Sequence, residues 1–491
     1  MCKVLPDKNA ILFNETKYSY SQLNKEVVTL CENLETIGCR RGSHLGTLFK
    51  NGPEFIVLML AAARSDLILV PLNPSYPQKT INRLLEEMDV DFIFSFKNIQ
   101  SKKRVEYGKL EICRSTILFF QVGLTEKKQY GHLSNGTPFI LTATSGSTGN
   151  PKPIALSQEV KILRSEAACK LYGVTENDII LSATPLHHSL GMRLCLLPLL
   201  IGATSVILPK FSPQRLVDII DKYLVSFSIL VSSQLLSLSK FLQNSSSLLT
   251  SLRLVVSSSA PLDKETKLKL RTKFSFALHE CYGTSELSIV SNINLSLPSM
   301  SVDSVGEVCE EVEVRIIDNS NETLPEGRLG EICCRSKLGF TGYYGLSEET
   351  DKSHTHDGFF RTGDIGMIKD NTLFFRGRIK DVIITGGMNI YPQDIEEVIL
   401  DCPNVKECAA LGIHNPRLGE ILVTIIAPNE INEKFDILLL QRHCLKSLSD
   451  YQQPIQYYLI DTLPLNSIGK IDKPSLRSWC MEQKGLLPNR I

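Results

Sequence analysis

The chain has 491 residues, too many for one compact hydrophobic core, so we expect two or more domains. Its 53 basic and 53 acidic residues give a formal net charge of zero. The overall charge therefore gives no indication of nucleic acid or an anionic membrane as a partner. The composition, 43% hydrophobic and 22% charged, is ordinary for a folded enzyme.

The N-terminus shows no basic stretch followed by an apolar segment, so we expect no secretory signal. The apolar segment 194–209 is interrupted by Pro198 and Gly202 and is shorter than the ~20 residues that cross a bilayer. The 14 cysteines form no Cys-x-x-Cys pair, which argues against a zinc ribbon and favours a reducing compartment. These features predict a cytoplasmic protein without a membrane span.

Helical periodicity and short apolar runs alternate through the first half of the chain. From Ser21, residues Leu23, Val27 and Leu30 recur at helical spacing, and the pattern stops at Gly38. Apolar runs predict buried strands at 67–70, 91–96, 116–120, 139–144, 179–184, 205–208, 228–231 and 252–256. Because such strands are apolar on both faces, they favour largely parallel sheets joined by crossover helices.

A different pattern begins near Val302, where strands 312–317 and 330–334 lie between glycine-rich turns. This pattern predicts an antiparallel, barrel-like section. A helix 392–400, strands 408–413 and 421–427, a helix from 435 and a strand 455–460 then form a compact α+β unit. We therefore predict an α/β protein with a large N-terminal domain, residues 1–379, and a small C-terminal domain, residues 380–491. The large domain would comprise two α/β subdomains and the barrel-like part.

The sharpest local signal is a loop after the predicted strand 139–144. It contains Thr144, Ser145, Gly146, Ser147, Thr148, Gly149 and Lys152. Glycines let backbone N–H groups approach phosphate oxygens, hydroxyls add donors, and Lys152 supplies positive charge. The spacing is not that of a Walker A loop. On these residues alone, a phosphate-binding loop and a flexible turn both remain open.

Further motifs follow in a fixed order along the chain. They are PLHHSLG at 185–191, SSAPL at 258–262, YGTSE at 282–286, FRTGD at 360–364, GRIKD at 377–381, GGMNIYP at 386–392 and LPLNSIGK at 463–470. Together with the loop 144–152, this series resembles the adenylate-forming superfamily of acyl- and aryl-CoA synthetases, luciferases and peptide-synthetase adenylation domains. The resemblance covers nearly the whole chain. It implies that the protein activates a carboxylic acid with ATP as an acyl-adenylate.

The resemblance gives expected roles to residues on the nucleotide side. Tyr282 would stack against adenine, Ser285 would offer its hydroxyl to phosphate, and Glu286 would hold magnesium together with Thr148. Ser258, Ser259, Ala260, Gly283 and Thr284 complete the expected nucleotide contacts. Read without the resemblance, the same residues are a strand-end aromatic, a turn hydroxyl and a surface acid.

Four further residues have roles in the reaction by the same resemblance. Asp364 would accept both ribose hydroxyls, and Arg378 would contact the ribose as well. Lys470 would pair with the carboxylate and the α-phosphate during adenylation only, and His188 would lie beside the acyl pocket. On local sequence alone, Asp364 is a turn aspartate and Lys470 a surface lysine.

The acceptor of the acyl group is predicted from the segment 386–392. The family's small C-terminal domain is mobile, and rotation about Lys380 would bring Gly386 and Gly387 to the site, where a pantetheine arm could pass. The string Gly-Gly-x-Asn-Ile-Tyr-Pro is typical of the acyl/aryl-CoA branch, so the predicted cofactors are ATP, Mg²⁺ and coenzyme A. The alternatives are transfer to a carrier protein in trans or to an amine, a luciferase-like reaction, and a non-catalytic nucleotide-binding protein.

Three departures from the family pattern stand near the motifs. Pro153 replaces a glycine after the phosphate loop, Ser258 and Ser259 replace a Gly-Gly pair, and Gln158 replaces a frequent histidine. None of them removes a charged catalytic group, so we expect activity. The apolar segments expected around the acyl pocket favour a small-molecule fatty, aryl or other hydrophobic acid.

Overall fold

The structure is a computed structural model and describes residues 1–99, 104–122, 138–143, 152–244, 247–262, 264–297, 303–429, 435–466 and 470–483. Within these ranges the helices are α1 Tyr20–Thr36, α2 Pro53–Arg64, α3 Gln78–Glu87, α4 Gln158–Tyr172, α5 Ser189–Ile201, α6 Pro213–Tyr223, α7 Ser232–Leu242, α8 Lys264–Lys273, α9 Ser347–Lys352, α10 Pro392–Leu400, α11 Ile437–Ser447 and α12 Lys473–Glu482.

The strands up to residue 294 are β1 Asn9–Phe13, β2 Thr16–Ser19, β3 His44–Leu48, β4 Ile68–Pro71, β5 Phe92–Ser95, β6 Arg104–Ile112, β7 Ser115–Val122, β8 Pro138–Ala143, β9 Pro153–Ser157, β10 Ile179–Ser182, β11 Thr204–Ile207, β12 Phe227–Val231, β13 Leu254–Ser258, β14 Ala277–Thr284 and β15 Ser288–Asn294. The remaining strands are β16 Gly306–Val308, β17 Val312–Ile317, β18 Gly330–Ser336, β19 Gly342–Tyr343, β20 Phe360–Lys369, β21 Thr372–Arg378, β22 Ile383–Thr385, β23 Met388–Ile390, β24 Val405–Asn415, β25 Gly419–Pro428 and β26 Gln456–Leu459.

The chain divides into two compact units. The first comprises residues 1–302, 306–313 and 335–358, and the second comprises residues 303–305, 314–334 and 359–491. The division predicted at 379/380 from the sequence stays a prediction.

In the first unit, one sheet is parallel from β1 through β11, β10, β12 and β13 to β14, and then continues antiparallel into β15 and β16. Helices cover both faces, because Tyr172 and Leu194 pack on one side of the strands while Leu216 and Leu235 pack on the other. The predicted buried strands and crossover helices are therefore present here.

The second sheet of this unit has the order β19-β9-β8-β4-β3-β5-β7-β6, with a parallel centre and antiparallel margins. The segment 116–120, grouped with the parallel strands in the sequence, lies in β7, which pairs antiparallel with both β5 and β6. The reason is a tight hairpin: Cys113 and Arg114 both adopt positive φ, 53° and 66°, as a two-residue turn between antiparallel strands requires.

In the second unit, β18, β20 and β21 form antiparallel pairs. A separate sheet joins β22, β23, β24 and β25 antiparallel and adds β26 parallel to β25. One face of this sheet packs on α10 and α11 through Ile395 and Leu440, and the other packs on α12 through Leu476. The α+β arrangement predicted after Arg378 is therefore present.

No described helix has both the length and the apolar character needed to cross a membrane. The 14 cysteines are all unpaired thiols, and most of them are buried.

Candidate active site

In the first unit, the YGTSE motif lies at the end of β14, where the chain turns into β15. The register of the two strands shifts between Tyr282 and Gly283. A Cβ on Gly283 would lie 1.9 Å from the carbonyl oxygen of Ser288, so only glycine fits this close approach. The turn therefore leaves Gly283 and Ser285 exposed and Tyr282 half-buried.

Glu286 is held at both its backbone and its side chain. Its carbonyl oxygen accepts hydrogen bonds from Phe340 N at 2.7 Å and from Arg164 Nη2 at 2.6 Å. Its carboxylate Oε1 accepts a hydrogen bond from the hydroxyl of the buried Tyr343 at 3.0 Å. Burial, together with the Glu286 carboxylate, raises the pKa of Tyr343, so the phenol keeps its proton and donates. These hydrogen bonds fix the position of the carboxylate that the family resemblance predicts as the magnesium ligand.

Lys152, at the end of the predicted phosphate loop, is paired within the first unit. Its Nζ lies 2.7 Å from Glu349 Oε2 of α9 and 5.0 Å from the centre of the Tyr343 ring. Tyr343 therefore contacts both the predicted magnesium ligand Glu286 and the predicted phosphate lysine.

The remaining loop residues, Thr144, Ser145, Gly146, Ser147, Thr148 and Gly149, lie outside the described residues. Their predicted phosphate contacts, and the predicted role of Thr148 at magnesium, stay predictions.

The segment Ser258–Ala260 follows the carboxyl end of β13. Ser259 has φ +79°, a left-handed conformation that glycine adopts without strain and serine rarely does. The serine that replaces the second glycine of the family pair therefore keeps a glycine-like backbone. Ser232 Oγ, at the start of α7, donates to the carbonyl of Ala260 and holds the segment on the sheet.

His188 is the residue before α5, and its position depends on Gly191. A Cβ on Gly191 would lie 2.3 Å from the carbonyl oxygen of Pro185, which explains the glycine of the His-x-x-Gly motif. The rings of His187 and His188 are 4.3 Å apart, and neither Nε2 has a hydrogen-bond partner among the described residues. Burial lowers the pKa of His188 to about 4, and burial with the neighbouring His188 lowers that of His187 to about 3. Both rings are therefore neutral at neutral pH.

In the second unit, the FRTGD motif forms the first half of β20, and an irregularity in the β18–β20 register there positions Asp364. Gly363 has φ +68°, and its N–H donates to Glu331 Oε1 at 3.2 Å. Arg361 pairs with Glu331 at 2.5 Å, while Thr362 Oγ1 accepts from Asp364 N at 3.1 Å. Each residue of the motif thus has a structural reason.

Asp364 and Arg378 face each other across β20 and β21. They are directly paired in the antiparallel register, and Arg378 Nε lies 3.2 Å from Asp364 Oδ1. The Asp364 side chain is 4% exposed and that of Arg378 is 43% exposed, so the pair offers a buried carboxylate beside a cation open to solvent.

Lys470 lies near this pair, although about ninety residues of sequence separate it from Arg378. Hydrogen bonds with Asn466 position its backbone, since Lys470 N donates to Asn466 Oδ1 at 3.0 Å and Asn466 N donates to Lys470 O at 2.7 Å. Burial, followed by the charge of Arg378, lowers the pKa of Lys470 to about 8, while Asp364 acts in the opposite direction. The structure therefore brings Asp364, Arg378 and Lys470 together in one electrostatic cluster.

Gly386 and Gly387 form the two-residue turn between β22 and β23. Their φ values are +55° and +81°, and the flanking residues Thr385 and Met388 are paired. A turn of this kind favours glycine for conformational reasons alone. A Cβ on Gly387 would meet no atom within 4 Å, so the turn is also open on one side.

Among the described residues no group of three or more metal-ligating side chains occurs. This fits magnesium, which keeps several waters and is bound in nucleotide enzymes by one or two carboxylates plus phosphate oxygens. Glu286 fits such a role because Tyr343 engages its Oε1, and no described residue donates a hydrogen bond to its Oε2.

Arg164 of α4 is a site residue that the sequence did not indicate. Its side chain reaches the carbonyls of Leu338, Ser285 and Glu286. Asn51 is another: its amide accepts from Leu186 N and donates to the carbonyls of Thr184 and Leu208, which braces the segment before His188. No local pattern marks either residue, because their partners are backbone groups far away in the sequence.

The chain contains two sheets covered by helices and a smaller α+β part, and the motif residues lie mostly at strand ends and turns. These features define a multidomain α/β enzyme. The chain belongs to the AMP-binding enzyme family: the family's profile matches residues 2–344, and that of the AMP-binding enzyme C-terminal domain matches residues 394–470.

Three similar proteins illustrate the family. The indoleacetate–CoA ligase of Aromatoleum aromaticum is 27% identical over 96% of this chain and 95% of its own length. The o-succinylbenzoate CoA synthetase MenE of Bacillus subtilis, solved with its acyl-adenylate intermediate, superposes with a TM-score of 0.83 at 21% identity, covering 97% of this chain and 96% of MenE. The amide bond synthetase McbA of Marinactinospora thermotolerans superposes with a TM-score of 0.78 at 25% identity, covering 96% of both chains.

The predicted superfamily and fold class are therefore confirmed. MenE has also been solved with ATP and magnesium ion, so the predicted ATP and Mg²⁺ agree with what a structural neighbour binds. The predicted enzyme class, an AMP-forming acid–thiol ligase, agrees with the CoA ligases among the relatives.

Proposed function

We propose that this protein is an AMP-forming acyl-CoA ligase. It would use ATP to convert a carboxylic acid to an acyl-adenylate and then transfer the acyl group to coenzyme A. The observation that carries the proposal is the cluster of Asp364, Arg378 and Lys470 in the second unit. Three separate motifs supply these residues, and each residue has the charge that its role requires.

In the first half-reaction an oxygen of the acid attacks the α-phosphorus of ATP, and pyrophosphate leaves. Both reactants are anions, so fixed positive charge must offset their repulsion and the charge that builds on phosphorus. Lys470 would supply that charge, and its lowered pKa reflects a partly desolvated ammonium that gains a partner when anions bind. Asp364 would accept the ribose hydroxyls beside Arg378.

In the first unit, Glu286 would hold magnesium, which neutralises phosphate charge and orients the leaving pyrophosphate. Ser285 would donate its exposed hydroxyl to phosphate, and Tyr282 would lie against adenine. Ser258, Ser259, Ala260, Gly283 and Thr284 would provide backbone around the nucleotide.

We propose a hydrophobic acid as the substrate. His187 and His188 are neutral and half-buried, so they would favour an uncharged, apolar acyl group beside the reacting carboxylate. The names of the curated relatives include an indole acid and a substituted benzoic acid, and both acids carry an aromatic ring. A reducing compartment such as the cytoplasm suits 14 unpaired thiols.

Pyrophosphate exchange across a panel of aryl, fatty and short-chain acids tests adenylation independently of the acceptor. We expect exchange with at least one aryl or fatty acid, strictly dependent on magnesium. Exchange with none of the panel would contradict adenylation. Product analysis with coenzyme A, a pantetheinylated carrier protein and simple amines offered in parallel then identifies the acceptor.

A second candidate is amide formation, favoured by the likeness to McbA over 96% of both chains. In that case the acyl-adenylate would react with an amine, and AMP would leave. Amide product without thioester in the same assay would select this candidate, whereas thioester product would select the ligase.

A further inference from the structure

Arg164 lies near the predicted magnesium ligand without belonging to any motif. It projects from α4 and is 2% exposed. Nε donates to Leu338 O at 2.8 Å, Nη1 to Ser285 O at 3.0 Å, and Nη2 to Glu286 O at 2.6 Å. One guanidinium thus joins α4 to the turn after β14 and to the loop after β18.

A buried guanidinium is costly unless its donors are satisfied. Here the recorded hydrogen bonds go to peptide carbonyls, and none of them goes to a carboxylate within the described part of the chain. The planar fork of arginine reaches three acceptors at once, which the single ammonium of a lysine does not reproduce. Helix α4 therefore carries a buried cation at a position that contacts two consecutive residues of the YGTSE motif.

The target of these contacts is the stretch that ends in Glu286. Arg164 and Phe340 N fix the Glu286 carbonyl, and Tyr343 fixes its carboxylate. The backbone of Ser285 is held by the same guanidinium. Removing Arg164 would release the backbone on which the carboxylate and the Ser285 hydroxyl are mounted.

We propose that Arg164 is a positioning residue that sets the geometry of the Glu286 carboxylate toward magnesium. This inference rests on the proposed adenylation activity. Arg164 acts through Glu286, so its effect should depend on the carboxylate at position 286. A role limited to stability would not have that dependence.

The test compares Arg164→Lys, Glu286→Gln and the double variant in magnesium-dependent pyrophosphate exchange. We expect Arg164→Lys to lower kcat or the apparent magnesium affinity by about 10- to 100-fold, as loss of an outer-shell partner typically does, with KM for the acid unchanged. In the Glu286→Gln background the same change should have less than about twofold effect, because coupled residues are non-additive. Losses that multiply in the double variant would overturn the proposal.

Arg253→Lys is a control for the loss of an arginine that bridges backbone carbonyls, although Arg253 is more exposed than Arg164 and also pairs with Asp178. Arg253 also donates to two carbonyls, Tyr172 O at 3.1 Å and Gly173 O at 3.0 Å, and belongs to the same unit, but it touches no motif residue. We expect this variant to be less stable and to keep the magnesium dependence of the wild type. An equal change of magnesium dependence in Arg253→Lys would also overturn the proposal.

Calorimetric titration of ATP with and without magnesium gives a second readout that needs no turnover. Arg164→Lys should weaken binding in magnesium and leave metal-free binding unchanged. If the wild type exchanged no pyrophosphate with any acid, the proposed function would fail, yet this titration would still decide the role of Arg164. Should Arg164→Lys not fold, Arg164→Gln serves in both assays, and wild-type magnesium dependence there would refute the positioning role.

Discussion

Replacing Lys470 by methionine should make the protein more stable at neutral pH and nearly inactive in adenylation. In the folded chain the pKa of Lys470 falls from 10.5 to about 8, first because of burial and then because of Arg378. At about 1.4 kcal/mol per pKa unit, the shift corresponds to a cost of roughly 3 kcal/mol for keeping the lysine charged. Since Lys470 is only half-buried, solvent screening reduces the expected gain from Lys470→Met to about 1–2 kcal/mol.

The pH dependence distinguishes this effect from ordinary repacking. Between the folded pKa near 8 and the unfolded pKa near 10.5, the unfolded chain binds a proton that the folded chain does not. Lys470 therefore destabilises the fold fully below pH 8, and the penalty disappears as pH rises toward 10.5. The stability difference between variant and wild type should be largest at pH 7 and about zero by pH 10.5.

Urea unfolding followed by tryptophan fluorescence measures the difference directly. The chain has a single tryptophan, and Trp479 lies in α12 with its ring 5.5 Å from Tyr458, so the signal reports on the unit that contains Lys470. In parallel, pyrophosphate exchange should fall by about 10²–10³-fold, while thioester formation from preformed acyl-adenylate is largely kept. A variant that is destabilised at pH 7, or whose stability difference does not change with pH, would refute the electrostatic reasoning.

Three further changes have defined outcomes. Glu286→Gln should raise the magnesium concentration that half-saturates pyrophosphate exchange by at least about tenfold, and an unchanged titration would remove the metal role. Gly387→Asn should fold normally because asparagine tolerates positive φ, block thioester formation and spare exchange; wild-type thioester yield by chromatography would reject the pantetheine path. Asp178→Asn should lower the free energy of unfolding by about 1–2 kcal/mol at pH 7, because it leaves Arg253 without its carboxylate while solvent still screens the partly exposed guanidinium. Although burial raises the pKa of Asp178, hydrogen bonds led by Arg253 lower it overall, so the difference should shrink in denaturation curves as pH falls below 4.

Much of the fold could be predicted because local pattern and tertiary role agree. Strand Val312–Ile317 and helix Pro392–Leu400 have the expected bounds, since β-branched residues mark the strand and a proline at the first turn marks the helix start. Strand β6, Arg104–Ile112, was not predicted, because it is polar and follows a basic cluster that suggests a loop. Its apolar partner β7 supplied the only clear strand signal in that hairpin.

The structure brings together several residues that the motifs predicted for the site, and it adds residues that no motif marks. Asp364, Arg378 and Lys470 were expected near one nucleotide, and the structure brings them together. Arg164 was missed because an arginine in a helix resembles a solvated residue and its carbonyl partners have no sequence signature. The sequence also did not indicate that Gly386 and Gly387 form a hairpin turn. Glycine is favoured both by such a turn and by a narrow path for a ligand, so the residue type alone does not distinguish the two.

The ion pair between Lys152 and Glu349 affects how well small cellular anions compete with ATP for Lys152. An uncompensated lysine beside a phosphate loop would attract inorganic phosphate, sulfate and free carboxylates, which are abundant in any cell. With Glu349 Oε2 at 2.7 Å, an incoming anion must displace a carboxylate before it gains the attraction of Lys152. A weakly charged ion gains little by that exchange, whereas a triphosphate brings more charge and further contacts. We therefore expect the pair to weaken the binding of small anions relative to that of a triphosphate.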